Sequence, residues 1–501
     1  MSSKKVIIIG AGLSGLSAAS YLQMNGFDTE VFEMHSRAGG LCTSWKRNDF
    51  MIDGCIHFMV GSSEKESTYP FWNGLIDMKN MDFVYSDEHC SIIDGENIIT
   101  LYSNIDRLEK ELMQKAPEDK KQIRFLVKSI RKLLNIKLPT GMPVEVMNMR
   151  DKMKAGIMIL PSAIPMIKAF RISNAQFTAK LRNPYFKKAF QLAFVDELPL
   201  FSTMLTLVWR HNKQMGYPIG GANMLSSLIL KNYLDLGGKI TFNAKVSEII
   251  IENDRAKGVV TEDGKTHQAD IIISAADGRS TIYKMLKGQY KDPRIIEKYE
   301  GPLYETIDKT LYVSLGVNKD FSKESHKIYF TLKNPIMIDP KTTLDHLDLT
   351  HYCYDPTAAP EGKSLLTLMP DALDWEYWKD LREDDIEEYN KQKGRIAAKI
   401  IDALDEQFGD IKENIEMIDV ATPATYIRYT GNWTGGQISW KAKKEITGKP
   451  TNWKIKGLEG FYMTGQWAGV SGGLNHVVMM GNHLAQIICK EEKRPFSFDQ
   501  K

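Results

Sequence analysis

Cysteine is scarce in this chain. Five residues in 501 (Cys42, Cys55, Cys90, Cys353, Cys489) are odd in number, widely scattered and without C-x-x-C spacing. That excludes a disulfide framework and a zinc site, and it suits a reducing compartment. Continuous apolar runs are missing as well. Val6 to Phe27 and the thirty residues from Gly460 to Cys489 contain no Asp, Glu, Lys or Arg, but glycines and Ser, Asn or His interrupt both. They read as protein interior and not as membrane spans. The glycines of the first fall in a nucleotide fingerprint, which sets it apart from a signal peptide. No internal repeat, low-complexity linker or second G-x-G-x-x-G occurs, so a dedicated NAD(P) domain is not expected. The length calls for two or three domains.

What is present begins at the N-terminus. Val6 to Ile9 is a β-branched run without alternation, which predicts a strand buried on both faces. Gly10, Gly12 and Gly15 follow in G-x-G-x-x-G, Leu13 to Asn25 has helical spacing closed by Gly26, and Thr29 to Phe32 predicts a second strand ending on Glu33. Each part has a chemical use. Gly10 makes the tight turn, Gly12 lets a pyrophosphate approach bare backbone, Gly15 lets helix and strand pack closely, and the helix N-terminus holds phosphate charge. Glu33 is placed to accept hydrogen bonds from a ribose 2′-hydroxyl, which argues against a 2′-phosphate.

Net charge is only +2, yet residues 107 to 188 hold nineteen Lys or Arg against six Asp or Glu, a local surplus of +13. Ile, Leu, Met and Pro interleave these charges and no nucleic-acid module is visible, so an anionic membrane surface suits the region better than nucleic acid. Within it, Ala155 to Ile167 is uncharged but too short to span a bilayer, and Pro161 and Pro165 oppose one straight helix. Elsewhere the pattern predicts a strand through Asp53 to Phe58, a hairpin over Ser91 to Tyr102 turning at Asp94-Gly95, and a helix from Asn223 to Leu236. Strands follow at Lys239 to Ile251, Lys257 to Thr261 and Ala269 to Ser274. Between Thr281 and Thr447 spaced strands and one long helix, about Glu383 to Phe408, mark a second region. The acidic stretch Asp371 to Glu388 reads as a solvated face. Gly460 to Thr464 predicts a strand, Gly465 to Gly473 a glycine-rich turn, and Leu474 to Cys489 a helix.

Four of these motifs, taken in order, resemble the phytoene desaturase, carotenoid isomerase and retinol saturase superfamily of FAD-dependent oxidoreductases. They are Gly10 to Gly15 with Glu33, Arg37-Ala-Gly-Gly40 and Ser44; Tyr217-Pro-Ile-Gly-Gly221; Thr422-Pro423 with Tyr429-Thr-Gly-Asn-Trp433; and Gly460-Phe-Tyr-Met-Thr-Gly465 with Gly472-Gly473. Asp53-Gly-Cys-Ile-His57 is closer to the saturase and isomerase branch than to the bacterial desaturases. The resemblance implies an α/β and α+β protein: a discontinuous Rossmann-like, glutathione-reductase-like FAD-binding domain with an inserted mixed-sheet and helical substrate domain. The FAD domain would comprise residues 1–100, 216–280 and 456–501. A basic helical, membrane-facing lid over 101–215 and a mixed sheet and helix over 281–455 would form the substrate part.

On the same grounds Gly10, Gly12 and Gly15, with Leu13 and Ser14 between them, are expected at the pyrophosphate. Glu33 is expected at the adenosine ribose, and Arg37, Gly39, Gly40, Leu41 and Ser44 in a second loop beside ribose and phosphate. Val246 is expected to contact adenine through its backbone. Gly465 and Gln466, with Gly473 and Leu474 opening a helix, would sit at the flavin, where an end charge of roughly +0.5 stabilises negative charge on the reduced ring. His57 and His476 are the side chains best placed for acid or base work, while Tyr217, Tyr429 and Trp433 shape an apolar tunnel; Cys42 invites no covalent link by its spacing. The implied activity is desaturation, saturation or isomerisation of carbon–carbon double bonds in a long apolar carotenoid, retinoid or other isoprenoid substrate. An external quinone, oxygen or reductant exchanges the electrons, and no metal or nucleic acid takes part. The expected location is cytoplasmic and peripheral to a membrane, since ten methylenes leaving a bilayer would cost roughly 8 kcal/mol. Two alternatives share the fold: an amine-oxidase-like flavoenzyme and a non-enzymatic prenyl-binding protein like the Rab GDP-dissociation inhibitors.

Overall fold

In the computed structural model, which describes residues 3–307, 310–441, 445–446, 449–469 and 472–498, five parallel strands form one sheet. Their order is Lys239–Thr241, Asp28–Phe32, Lys5–Ile9, Ile271–Ser274, Phe461–Met463. The first strand of the chain is therefore central, and Val6, Ile7 and Ile8 have no exposed surface. A strand covered on both faces has no use for alternation, which is why the β-branched run was legible. The helix Leu13–Met24 is buried from Leu13 to Leu22 and lies against the C-terminal helix Leu474–Glu491. The two meet backbone to backbone: a Cβ on Gly481 would come 2.6 Å from the Ser14 carbonyl oxygen. Chain segments more than 400 residues apart thus share one core, and the Ser14 and Thr464 hydroxyls lie 3.0 Å apart across the join.

A second sheet has seven strands in the order Ile415–Ala421, Tyr312–Val317, Ser364–Leu368, Thr342–His351, Lys327–Asp339, Glu88–Asp94, Asn97–Tyr102. All pairs are antiparallel except Lys327–Asp339 with Glu88–Asp94. The predicted hairpin at Asp94-Gly95 forms, and it belongs to this sheet, so the first hundred residues contribute to both. Ile328 and Phe330 point into a core shared with Ile396, Ile400 and Leu404 of the long helix Ile386–Phe408. Tyr329, one residue out of phase, packs instead on a separate helical core formed by Leu108, Ile123, Val127, Phe186, Phe190 and Met204.

Two local expectations differ from the structure and a third holds in part. The strand expected through Asp53 to Phe58 stops at Asp53, because one carboxylate oxygen accepts from the amides of Cys55 (2.9 Å) and Ile56 (2.8 Å) and turns the chain. The strand expected from Lys239 to Ile251 is two strands in different sheets, broken at Asn243 (φ +53°), whose amide donates to the His35 carbonyl. Around Ala155 to Ile167 there is, as expected, no single straight α-helix, but the helical path runs on past the uncharged core at both ends. Met149–Ile159 and Ala163–Phe170 are α-helical and Leu160–Ser162, containing Pro161, is a 3₁₀ turn between them. The 22-residue run Met149–Phe170 is long and apolar enough to cross a membrane by length and composition, a longer stretch than the uncharged core alone.

Candidate active site

The end of the strand Lys5–Ile9 delivers Gly10 with φ +97°, and its amide donates to the Phe32 carbonyl at 2.8 Å. Gly15 is dictated by packing: a Cβ there would come 2.0 Å from the Gly10 carbonyl oxygen. Gly12 is the opposite case, with φ −67° and no atom within 4 Å of a Cβ position. It caps the helix Leu13–Met24, which has no side-chain cap. Its first amides therefore face open space, the arrangement that binds an anion.

Glu33 joins this loop to the next. One carboxylate oxygen accepts from the Ala11 amide at 2.7 Å and the other from the His35 amide at 2.8 Å. The residue is buried, and desolvation raises its pKa while the two amides pull it back. Each oxygen keeps a lone pair for a further donor such as a ribose hydroxyl. The second loop is laid against the first: the Gly39 amide donates to the Ala11 carbonyl at 2.9 Å, and Gly39 pairs with Gly12 in an isolated bridge. A Cβ on Gly39 would come 2.3 Å from the Cys42 carbonyl.

The third contribution comes from the C-terminus. Thr464 and Gly465 follow the strand Phe461–Met463, and Gly473 (φ +100°, no atom within 4 Å of a Cβ) opens the helix Leu474–Glu491, again without a side-chain cap. Residues 470–471 of the expected glycine-rich turn lie outside the described residues.

These pieces enclose a cavity of about 480 Å³. Gly10, Gly12, Leu13, Ser14 and Glu33 line it from the first motif, with Gly39, Gly40 and Leu41 from the second loop and Val246 from the central segment. Gly465, Gln466, Gly473 and Leu474 line it from the C-terminus. Gly15 lies behind the wall. Arg37 and Ser44 line an adjoining cavity of about 490 Å³ that shares Glu33, Gly40 and Leu41. There the Arg37 guanidinium donates to the Ser44 carbonyl at 3.1 Å, and the Ser44 hydroxyl accepts from the Asn223 amide at 3.2 Å.

Of the five side chains expected near the chemistry, two line the first cavity: Tyr429, which also borders the second, and His57. Its Nδ1 is 3.2 Å from the Tyr352 hydroxyl and its Nε2 3.1 Å from the Met369 sulfur. Burial pulls its pKa down to about 4, with the Lys327 ammonium acting in the same sense, so it is neutral at pH 7. Tyr217 is buried behind the wall, where its hydroxyl donates to Asp355 at 3.0 Å. Trp433 stacks under Arg279 (4.7 Å to the ring centroid), and its amide donates to Asp277 at 3.4 Å. His476 has a buried Nε2 with no hydrogen-bond partner, and burial lowers its pKa to about 4. Cys42 lines the cavity with its thiol donating to the Ala222 carbonyl at 3.8 Å, and the neighbouring Cys55 thiol, together with burial, holds its pKa well above the ordinary value.

Three acids and one lysine escaped the sequence. Asp53 and Asp355 pin the Tyr217-Pro-Ile-Gly-Gly221 element: Asp355 accepts from Tyr217 and the Gly220 amide (3.0 Å), and Asp53 from the Ala222 amide (2.7 Å). Asp277 lines the cavity just past the strand Ile271–Ser274. Burial raises its pKa to about 6 against the pull of the Ser280 amide at 2.7 Å. Its place at the carboxyl end of a parallel strand is the signal that could have found it. Lys298, 2% exposed, donates to the carbonyls of Ala468 and Gly469, both at 2.8 Å, and so holds the segment after Gly465; burial lowers its pKa to about 7. Nothing in the sequence separates it from a surface lysine. Among the described residues no group of three or more His, Cys, Asp or Glu is arranged to hold a metal ion.

Residues 8–75 match the NAD(P)-binding Rossmann-like domain family. Over 98% of its length the chain is similar to chloroplastic prolycopene isomerase of Daucus carota, at 24% identity and 81% of that protein. It is equally extensive against 4,4'-diapophytoene desaturase (4,4'-diapolycopene-forming) of Methylomonas sp, at 23% identity over 98% of this chain and 96% of that one. An inactive all-trans-retinol 13,14-reductase of Danio rerio is 24% identical over 83% of this chain and 74% of its own. Among solved structures, an oxidoreductase from Methanosarcina mazei superposes with a TM-score of 0.60 at 16% identity, covering 97% of this chain and all of the other. Cyclohexylamine oxidase from Brevibacterium oxydans gives 0.59 at 15%, covering 98% of this chain and all of the other. These two likenesses speak to the fold, a Rossmann-like nucleotide-binding unit with mixed α/β content.

Proposed function

We infer that this chain, which is related along nearly its whole length to the phytoene desaturases and prolycopene isomerases, is an oxidoreductase that holds FAD in the cavity behind Gly12 and Gly473. On this reading it acts on carbon–carbon double bonds of a long apolar, isoprenoid-like substrate. The observation that carries the cofactor assignment is the pair of bare backbone faces, at Gly12 and Gly473, opening on one cavity from two uncapped helix N-termini. The first fits a pyrophosphate and the second a flavin ring that gains negative charge on reduction. When bound, FAD would supply the two-electron chemistry. The chain supplies the rest. Glu33 accepts from ribose and keeps the two loops in register, Lys298 fixes the carbonyls past Gly465, and His57, neutral at pH 7, presents a polar wall rather than an acid. With one dinucleotide fingerprint in the sequence, the electrons pass to or from an external partner such as a quinone, oxygen or a reductant.

The seven-stranded sheet and the helices over it serve, on this reading, as the substrate part, reached from a membrane. Met149, Met153, Ile157, Leu160, Ile164 and Ile167 are 48–80% exposed along one helical run, and Arg150, Lys152, Lys154, Lys168 and Arg171 flank them. An apolar edge ringed by cations suits the headgroup region of an anionic bilayer. Flotation with liposomes should carry the protein upward when anionic lipid is present; no binding to either neutral or anionic vesicles removes the docking. For the chemistry, the purified protein is loaded with FAD and mixed anaerobically with a polyene or with an amine. The polyene should perturb the flavin spectrum or be isomerised. Rapid bleaching by an amine alone, or a protein that does not take up FAD, would overturn the reading.

A further inference from the structure

Beyond His57 the cavity wall passes Phe58, and against that ring sits Arg210, its guanidinium carbon 5.8 Å from the centroid. Arg210 closes the helix Leu200–His211 and faces the two adjacent strands of the second sheet that carry Cys90 and Tyr329. Its Nε is buried without a hydrogen-bond partner, and among the described residues its side chain makes no ion pair. Lys327 does not share this condition, being paired with Asp348 at 3.2 Å. The groups able to carry a negative charge that act on Arg210 are Cys90, Tyr354 and Tyr329. Burial keeps all three neutral, lifting Cys90 and Tyr329 to about 12 and Tyr354 further. His89 and His326 are also close. Burial and the Arg210 charge hold both well below the usual histidine range, and the His89 Nδ1 has no partner either.

The cluster therefore contains one uncompensated cation in a desolvated place, which is unfavourable unless an anion joins it. Arginine does not shed its proton to escape. We propose that Arg210 binds the terminal carboxylate of an otherwise apolar substrate whose chain runs past Phe58 and His57 toward the cofactor cavity. The planar fork of the guanidinium matches a carboxylate, and one unpaired positive charge matches one negative. This rests on the isoprenoid-like substrate class proposed above and narrows it from hydrocarbons to chain acids.

The test uses the FAD-loaded protein and two probes with the same polyene chain, all-trans retinoate and all-trans retinol, with affinities measured by calorimetry. Retinoate should bind roughly 10- to 100-fold more tightly. In Arg210→Met the ratio should fall to near one, and Arg210→Lys should keep part of it, because an ammonium lacks the fork. Without ligand, Arg210→Met should melt at a higher temperature than wild type, since it removes a buried unpaired charge; an arginine with a purely structural role would give a lower one. A ratio near one in the wild type, or an undiminished ratio in Arg210→Met, overturns the proposal. Flavin response to polyenes without end-group preference would remove this site and leave the oxidoreductase reading intact. Preference for the acid that depends on Arg210, with no flavin response to any polyene, would do the reverse.

Discussion

The loops at Gly10 to Gly15 and Glu33 to Ser44 hold their shape mostly through backbone: amide to carbonyl between Gly39 and Ala11, Gly10 to Phe32, and glycines whose missing Cβ lets chain touch chain. The wall around His57, Phe58 and Arg210 is made of side chains drawn from widely separated stretches, and its polar groups are partly unmatched. A site made of backbone tolerates few residue types at fixed spacing, so it leaves a motif. A site made of side chains can be assembled from any elements that meet, and leaves none. Unpaired side-chain groups reward only a partner that completes them, so such a wall is suited to discriminating between ligands.

Several substitutions would break or sharpen this contrast. The largest effect is expected at Gly15→Ala, where a methyl group 2.0 Å from the Gly10 carbonyl oxygen forces helix and strand apart. Denaturation should show a loss of about 3 kcal/mol or more, and a near-wild-type midpoint would undo the backbone account. At Asp277 the effect depends on pH. Its folded pKa of about 6 exceeds the ordinary 3.8, so its contribution is fully present below about 3.8 and is lost as pH rises through 6. Asp277→Asn should therefore gain on wild type between pH 4 and pH 8, by about 3 kcal/mol at most; a pH-independent difference in melting would show that the carboxyl is not titrating in its buried place. Tyr352→Phe removes the hydroxyl 3.2 Å from the His57 Nδ1 and should cost about 1 kcal/mol. No change in unfolding would mean that this wall is not held by that contact. The smallest stability change is expected at Gly12→Ala, within a few tenths of a kcal/mol, because no atom lies within 4 Å of the new methyl. The purified variant should nevertheless carry less flavin than wild type. Equal flavin content would mean that the open face at Gly12 is not the phosphate site.

The sequence made the core of the parallel sheet readable because Val6 to Ile9 and Ile271 to Ser274 are buried on both faces and show it as unbroken apolar runs. Of the seven-stranded sheet it made part readable: Tyr312–Val317 and Ser364–Leu368 are buried along their whole length and show it as apolar-rich runs, whereas the edge strand Ile415–Ala421 was not expected. The break at Asn243 was not readable, since it depends on a hydrogen bond to His35 that only the fold brings near, whereas the turn at Asp53 rests on a side chain bonding its own backbone two and three residues on, a local signal that was missed. The Glu88–Tyr102 hairpin combines the two: its turn is local chemistry, but its membership in the second sheet is a parallel pairing with a strand more than two hundred residues away.

By itself, the sequence determined where a strand-to-helix turn leaves its backbone bare. That geometry is local: strand, tight turn and helix follow one another within ten residues, and steric limits at Gly10, Gly12 and Gly15 are properties of adjacent backbone. Only the tertiary structure decided which side chains line the cavity and which stand behind its wall. Asp277, Lys298 and Arg210 owe their shifted protonation or missing partners to burial among distant segments, and desolvation is a property of the assembled interior that no spacing along the chain records.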